Sequence, residues 1–174
     1  MKKSARVYSG FTLVELLVVI AIIAILAVIV GVVINPIELR RRSNDAARLS
    51  DLANLQQAIN VAAQEATVSG DAILCFNTAV PCQEATFPLQ TDTRKSDGSG
   101  WVKVNLSAQT SVSMPVLPVD PVNDATHYYE YYSDGSAWKM TAVLESDQQS
   151  IKMLNDGGIE DAEYEVGSNL TLSI

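Results

Sequence analysis

Residues that carry enzyme chemistry are scarce in this sequence. Its 174 residues include one histidine, His127, and two cysteines, Cys75 and Cys82. No zinc-protease, P-loop or serine-elbow motif is present. A cysteine nucleophile paired with His127 would lack a third group in the sequence to orient the imidazole. The sequence therefore predicts that the protein is not an enzyme.

Positive charge is also scarce over most of the chain. Lys and Arg total 12 against 20 Asp and Glu, which gives a formal net charge of −8. Residues 1–10 contain three cations and residues 36–50 contain four arginines, whereas residues 51–174 contain 5 basic and 17 acidic residues. This balance disfavours a nucleic-acid binder that relies on a broad basic surface. The chain has a basic start, a basic collar at Arg40–Arg42 and an acidic body.

One long segment has no charge at all. Residues 16–34 are 19 consecutive uncharged residues, and the apolar run from Phe11 is interrupted only by Thr12 and Glu15. A helix of this length reaches roughly 36 Å, enough to cross a hydrocarbon core of ~30 Å. The run is too long for a cleaved secretory signal, and no small-residue cut site follows it. Because the first ten residues are basic, we expect the N-terminus in the cytoplasm and the body outside.

A carboxylate inside this apolar segment needs an explanation. Glu15 would cost on the order of 2–3 kcal/mol at the centre of a membrane helix, although a position near the cytoplasmic end relieves part of that cost. The segment contains no basic residue that could pair with it. We therefore expect the partner of Glu15 on another molecule, or on a group created by processing.

Beyond the apolar run, the pattern predicts a second stretch of helix. Pro36 lacks an N–H, so a kink or opening is expected at Asn35–Pro36. Residues 37–67 show apolar side chains at spacings of three and four, and Ser69-Gly70 predicts the stop. The apolar stripe comprises Leu49, Leu52, Leu55, Ile59, Ala62, Ala63 and Ala66.

The last hundred or so residues are loop-rich and show strand signals. Residues 101–106 alternate, with Val102, Val104 and Leu106 predicted on one face of a strand. Residues 127–144 predict a hairpin whose Asp134-Gly135 pair is the signal for a type I′ turn. The tyrosines of the first strand are expected to pack against the long helix rather than to bind a ligand. Outside the cytoplasm, Cys75 and Cys82 enclose a short loop and are expected to form a disulfide.

The sequence from Ser9 to Leu17, SGFTLVELL, resembles the leader region of type IV prepilins and type II secretion pseudopilins. The resemblance covers residues 2–34: a short basic leader, Gly10, Phe11-Thr-Leu, Glu15 and the long apolar run. It implies that a dedicated aspartyl peptidase cuts between Gly10 and Phe11 and then N-methylates Phe11. It also implies that Glu15 pairs with the terminal amine of a neighbouring subunit in a filament, which would supply its missing partner.

The resemblance implies an α+β, pilin-like fold in which one very long N-terminal helix packs on a small antiparallel sheet. The corresponding segments are a leader (1–10), a transmembrane and assembly half-helix (11–34), an amphipathic half-helix outside the membrane (35–69) and a β-rich head (70–174). A looser resemblance to major pseudopilins lies in Leu117–Pro121, although the Trp-Gly-Asn-Pro run that often follows there is absent.

Major pseudopilins bind calcium near the C-terminus, and no other cofactor is expected here. The loop from Asn155 to Asp161 offers oxygen donors, so Asp156 and Asp161, with Asp120 and Asp124 approaching them, are the candidate ligands. The spacing is not that of an EF-hand, and a solvated acidic loop without calcium is the alternative.

The function implied by the resemblance is that of a structural subunit of a pseudopilus or a type IV pilus. The expected partners are copies of itself, related minor pilins, the prepilin peptidase, an assembly-platform membrane protein and the lipid bilayer. Nucleic acid is expected only for a DNA-uptake pilin, and adhesion is a further role within the superfamily. The subunit should sit in the inner membrane before it enters a filament. A membrane-anchored ligand-binding module is the alternative from another class, but a mere anchor needs neither the leader nor Glu15.

Overall fold

A computed structural model describes residues 10–33, 35–66, 71–109, 111 and 114–173. The chain divides into two compact units, residues 1–39 and 40–174. The elements are helices α1 (Leu13–Val33), α2 (Pro36–Glu65) and α3 (Asp71–Leu74), strands β1 (Cys82–Ala85), β2 (Tyr129–Ser133) and β3 (Trp138–Ala142), a 3₁₀ turn (Ser150–Lys152), and strand β4 (Tyr164–Gly167). These elements confirm the predicted α+β, pilin-like class. The division into four functional segments stays a prediction.

The break between α1 and α2 lies at Asn35–Pro36, where the sequence predicts it. The side-chain Oδ1 of Asn35 accepts the backbone N–H groups of Ile37 and Glu38, both at 3.2 Å. Asn35 therefore caps α2, and Pro36 takes the first helical position, where a missing N–H has no consequence. The helix ends at Glu65, and the predicted stop at Ser69-Gly70 lies outside the described residues.

The predicted stripe of α2 forms one side of the core. Leu52, Leu55, Ile59 and Ala62 are completely buried, as their spacing of three and four residues predicts. Ala63, which the prediction placed in the same stripe, is exposed. Burying a full aliphatic side chain stabilises the fold by about 1.5–3 kcal/mol, so this stripe is a main link between α2 and the sheet.

The sheet has the order β1-β2-β3-β4, and all three pairings are antiparallel. The predicted hairpin is the β2–β3 pair, in which Ser133 lies opposite Trp138. The predicted type I′ turn is wrong. That turn needs positive φ at two central residues, whereas only Gly135, at φ 85°, has one in this loop. Asp134 Oδ1 instead accepts the N–H groups of Ser136 and Ala137 and shapes a wider loop.

Tyr129 bonds to the long helix, as predicted for the tyrosines of β2, whereas Tyr131 bonds to the short helix α3. Tyr129 and Tyr131 are fully buried. The Tyr129 hydroxyl donates to Asp51 on α2 at 3.0 Å, and the Tyr131 hydroxyl donates to the carbonyl of Leu74 in α3 at 2.8 Å. Each phenol thus has a partner for its polar end while its ring fills the core.

The predicted strand at residues 101–106 is wrong, although the three residues predicted to share a face all enter the core, as does Trp101 from the other face. Val102, Val104 and Leu106 are buried, but the only ladder contact in this stretch is a single bridge between Asp97 and Asn105. The backbone bonds to loops instead: Lys103 accepts from Phe76, and Leu106 donates to Ser96. Alternation therefore identified three of the buried side chains, missed Trp101, and gave no information about pairing.

Candidate processing and assembly site

The first turn of α1 is closed by a pair of side chains. Glu15 Oε2 accepts both the backbone N–H and the hydroxyl of Thr12, each at 2.9 Å, and Thr12 Oγ1 accepts the N–H of Glu15 at 3.2 Å. This reciprocal arrangement is a capping box, in which a Thr and a Glu three residues later satisfy free donors at a helix start. The Thr-x-x-Glu spacing is the signal for it, which the sequence interpretation missed.

Gly10 and Phe11 precede this cap and are open to the surroundings. The Phe11 side chain is 84% exposed. A Cβ added at Gly10 would meet no atom within 4 Å, and Gly10 has no positive φ. Nothing in the described residues therefore requires glycine at position 10, so a requirement for it would have to come from another molecule that binds this segment.

The rest of α1 is an apolar surface that no other described residue buries. Residues Leu13–Gly31 form a 19-residue stretch with a mean hydropathy of 3.4, none of it buried. This helix is long and apolar enough to cross a membrane. Glu15 is its acidic residue, located in the first turn.

Cys75 and Cys82 are joined by a disulfide bond across seven positions of sequence. Both residues are buried in the core of the 40–174 unit. The bond ties the end of α3 to the first residue of β1, and neither sulfur remains available as a thiolate nucleophile.

Three of the four candidate calcium ligands have separate partners in the structure. Asp120 is buried against Arg48, and Asp124 accepts from Thr126 and His127. Asp156 accepts the N–H groups of Gly158 and Glu165 through its two oxygens, both at 2.8 Å. Asp161 is exposed. Within the described part of the chain, no group of three or more His, Cys, Asp or Glu side chains is placed to hold a metal ion.

A buried ion pair lies at the end of the acidic loop. Lys139 Nζ is 2.6 Å from Glu165 Oε1, and both side chains are at most 1% exposed. Glu165 Oε2 accepts the N–H of Glu160 at 3.1 Å. The loop between Asp156 and Glu165 is therefore fastened to β3 by an ammonium group of the protein itself.

A second buried ionic cluster, which sequence reasoning missed, links α2 to the loops of the head. The Arg48 guanidinium binds Asp120 through two nitrogens, at 2.6 and 3.0 Å. Its third nitrogen binds Asp45 and Glu145, both at 2.9 Å. Asp45 also accepts the N–H groups of Glu145 and Ser146. Arg48, Asp45 and Asp120 have fully buried side chains.

The charged groups of this cluster shift one another's pKa values. Burial alone lowers the pKa of Arg48, but the hydrogen bonds and the charge of Asp120, with Asp45 and Glu145, outweigh burial and hold that pKa above its usual value. Burial raises the pKa of Asp45, yet hydrogen bonds from Ser146, Glu145 and Arg48 outweigh it, so the pKa of Asp45 is lowered. Each charge is therefore stable only while its partners are present.

A sequence-family model described as the prokaryotic N-terminal methylation motif matches residues 6–31. The match includes Gly10, Phe11, Glu15 and most of α1. This motif is the signature of type IV pilins and pseudopilins, so it confirms the resemblance inferred from the first 34 residues. A search of curated proteins and a search of solved structures found no match. The chain thus carries the N-terminal segment of a type IV pilin-like subunit.

Proposed function

We propose that this chain is a prepilin that is cut between Gly10 and Phe11, N-methylated on Phe11, and assembled with copies of itself into a filament. The observation that carries the proposal is the methylation motif at residues 6–31. The open surroundings of Gly10 and the exposure of Phe11 support it. A peptidase must reach the backbone there, and a side chain at position 10 would obstruct a tight protease site rather than the fold.

The exposed surface of α1 supports membrane insertion followed by assembly. An unpartnered apolar helix of this length is stable in lipid, or among other apolar helices once the subunit leaves the bilayer. The prepilin peptidase, an assembly platform and minor pilins are the proposed partners. Of the two filament types, we favour the type II secretion pseudopilus because Leu117–Pro121 resembles the corresponding loop of major pseudopilins.

Cleavage is tested by mass spectrometry of the full chain produced with and without a prepilin peptidase. We expect the intact precursor without the enzyme, and a chain that begins at N-methyl-Phe11 with it. Gly10→Val should leave the precursor uncut. Gly31→Val is the matched control, because a Cβ at Gly31 also meets no atom within 4 Å, and this variant should be cut normally. A native terminus at Met1 in cells with an active peptidase would refute the proposal.

Assembly is tested at Glu15, with the capping box taken into account. Glu15→Gln keeps an oxygen that can accept from Thr12 but removes the negative charge. If the charge pairs with the terminal amine of a neighbour, this variant should be cut and inserted normally but should yield far fewer filaments. Thr12→Ala removes the hydroxyl and leaves the charge, so it should be milder. Normal filament yield from Glu15→Gln would contradict the inter-subunit pairing.

The two filament types differ in what a deletion strain loses. A pseudopilus subunit should be required for the export of folded proteins across the outer membrane, without loss of surface filaments. A type IV pilin should be required for surface filaments, with export intact. Electron microscopy of the cell surface and a comparison of secreted proteins separate these outcomes.

A further inference from the structure

A polar cavity of about 380 Å³ lies between two loops of the 40–174 unit. One loop is closed by the Cys75–Cys82 disulfide, and the other comprises residues 97–103. A volume of this order is typical of small-molecule sites in proteins. The processing and assembly proposed above use none of the residues that line the cavity. These residues are Phe76, Asn77, Thr78, Asp97, Gly98, Ser99 and Lys103.

The two loops are held against each other by a hydrogen bond and by close packing. The backbone N–H of Phe76 donates to the carbonyl of Lys103 at 2.8 Å. Gly98 has a positive φ of 88°, and a Cβ at this position would lie 2.6 Å from Cδ1 of the Phe76 ring. Glycine permits both this backbone conformation and this close approach, which other residues do not. The walls of the cavity are therefore fixed relative to each other without a ligand.

Polar groups in the cavity have hydrogen-bonding capacity that the protein does not use. Asp97 Oδ1 accepts the hydroxyl and the N–H of Ser99, at 2.6 and 3.0 Å. These bonds hold the pKa of Asp97 below its usual value, so its carboxylate is ionised at neutral pH. Within the described ranges of the chain, no hydrogen bond reaches Asp97 Oδ2, the side-chain amide of Asn77 or the hydroxyl of Thr78. The cavity therefore presents both donors and acceptors to a ligand.

The charges that line the cavity disfavour an ionic ligand of either sign. The lining includes one carboxylate, Asp97, and one ammonium group, Lys103, whose Nζ lies 3.1 Å from Glu84. One carboxylate supplies too few oxygen ligands for a metal ion such as Ca²⁺. A phosphate would be repelled by Asp97 and Glu84, and an organic cation would be repelled by Lys103.

The charges around the cavity are close to balanced as well. Residues 75–103 contain three acidic and three basic residues. One further acid, Asp134, follows Ser133, which lies opposite Cys82 in the sheet. Asp134 does not line the cavity, and its Oδ1 accepts from Ser136 and Ala137. The surroundings therefore favour a ligand without net charge.

A neutral ligand rich in hydroxyl groups matches these properties. A hydroxyl donates to a carboxylate or amide oxygen and accepts from an amide or ammonium N–H, so one ligand can bond to Asp97, Asn77 and Lys103 together. The half-buried ring of Phe76 provides an apolar wall for the C–H face of a sugar ring. An apolar ligand would leave the polar groups of the cavity unpaired, which costs free energy.

We propose that this cavity binds a saccharide. The site gives the head a ligand-binding role beyond the proposed function of a structural subunit, and it does not require filament formation. In a filament each subunit would carry one copy of the site. A glycan with repeated sugar units would then bind with an avidity above the affinity of a single site.

The test uses the full chain in phosphatidylcholine nanodiscs, because sugar-based detergents would compete for the site. The nanodiscs are applied to an array of defined mono- and oligosaccharides, and each glycan that binds is titrated in solution by calorimetry. We expect binding to a limited set of glycans that share one sugar unit. Binding of no glycan above the level of empty nanodiscs would overturn the proposal and leave the proposed prepilin function standing.

Two variants locate the binding within the cavity. Asp97→Asn keeps an oxygen that can accept from Ser99 but removes the carboxylate. Asn77→Gly removes the amide and tolerates the positive φ of 53° at this position. Each should weaken glycan binding about tenfold, because a hydrogen bond to the sugar is lost. Asp161→Asn is the matched control, since Asp161 is exposed and lies outside the cavity, and it should bind like the wild type.

The variants also decide against the proposal where it is wrong. Wild-type affinity in both Asp97→Asn and Asn77→Gly would overturn it, because the glycan would then bind elsewhere on the chain. An equal loss in Asp161→Asn would overturn it for the same reason. A neutral peptide offers similar donors and acceptors in its backbone, so displacement of the glycan by an uncharged Gly-Ser peptide would identify the cavity as a peptide site and contradict the saccharide assignment.

Discussion

Removal of the Arg48 guanidinium should destabilise the head more than any exposed substitution on α2. The guanidinium makes four hydrogen bonds to three carboxylates, and its side chain is fully buried. Arg48→Met keeps most of the aliphatic stem, so the packing loss is small. It leaves the carboxylates of Asp45 and Asp120 buried without their cation.

The size of the effect follows from this unpaired charge. Removing one partner of a buried ion pair costs about 3–5 kcal/mol. For a unit of roughly 135 residues, an unfolding entropy of about 2.1 cal/mol/K per residue converts this into a fall in Tm of roughly 10–18 °C. Arg41→Met is the matched control because Arg41 is exposed on the same helix, and it should change stability by less than about 0.5 kcal/mol.

The pH dependence of the stability loss in Arg48→Met distinguishes the loss of charge pairing from the loss of packing. In the wild type the pKa of Asp45 is lowered, so its contribution to stability is present above the unfolded pKa and is lost as the pH falls through the folded one. In Arg48→Met the buried Asp45 has lost its cation, so its pKa should rise. Protonation then relieves the unpaired charge, and the difference from the wild type should shrink between about pH 7 and pH 4.

Intrinsic fluorescence of the full chain in detergent micelles provides the assay. Both tryptophans of the chain, Trp101 and Trp138, are buried in the 40–174 unit, so the signal reports unfolding of the head. A penalty that is the same at both pH values would attribute the loss to packing. A penalty no larger than that of Arg41→Met would refute the role assigned to the ionic cluster.

Three further predictions use the same assay. Lys139→Met should destabilise the head by about 3 kcal/mol at pH 7, because Glu165 would remain buried without its cation; a neutral effect would contradict this. Reduction of the Cys75–Cys82 disulfide should lower the stability by about 2 kcal/mol, since it closes a short loop, and the Cys75→Ser/Cys82→Ser double variant should match the reduced protein and no longer respond to reductant. The calcium hypothesis predicts a rise in Tm with Ca²⁺ that Mg²⁺ does not reproduce and that Asp156→Ala abolishes, whereas equal shifts with both ions would contradict it.

Features governed by local sequence were predictable. The apolar run gives α1, the Asn35–Pro36 break separates it from α2, and spacings of three and four residues identify most of the buried stripe of the second helix. Each depends on residues within one or two turns of each other. The methylation motif is local in the same sense, because its residues lie within a single 26-residue stretch.

Features governed by distant partners were not predictable. Arg48 and Asp120 are 72 positions apart, and Asp45 and Ser146 are 101 apart, so no sequence window shows that they meet. Lys139 on β3 and Glu165 on β4 are 26 positions apart, so their buried ion pair shows no local pattern either. Residues 101–106 alternate as a strand does, yet loops supply their hydrogen bonds.

Glu15 can cap the start of α1 and also pair with the terminal amine of a neighbouring subunit. Both donors from Thr12 bind the same carboxylate oxygen, Oε2, and among the described residues no hydrogen bond reaches Oε1. A carboxylate has acceptor capacity on both oxygens. Oε2 can therefore hold the start of α1 and lower the cost of the charge in the membrane, while Oε1 stays available for an ammonium group. The amine that cleavage would create on a neighbour needs only this second oxygen, so capping need not be broken for subunits to pair.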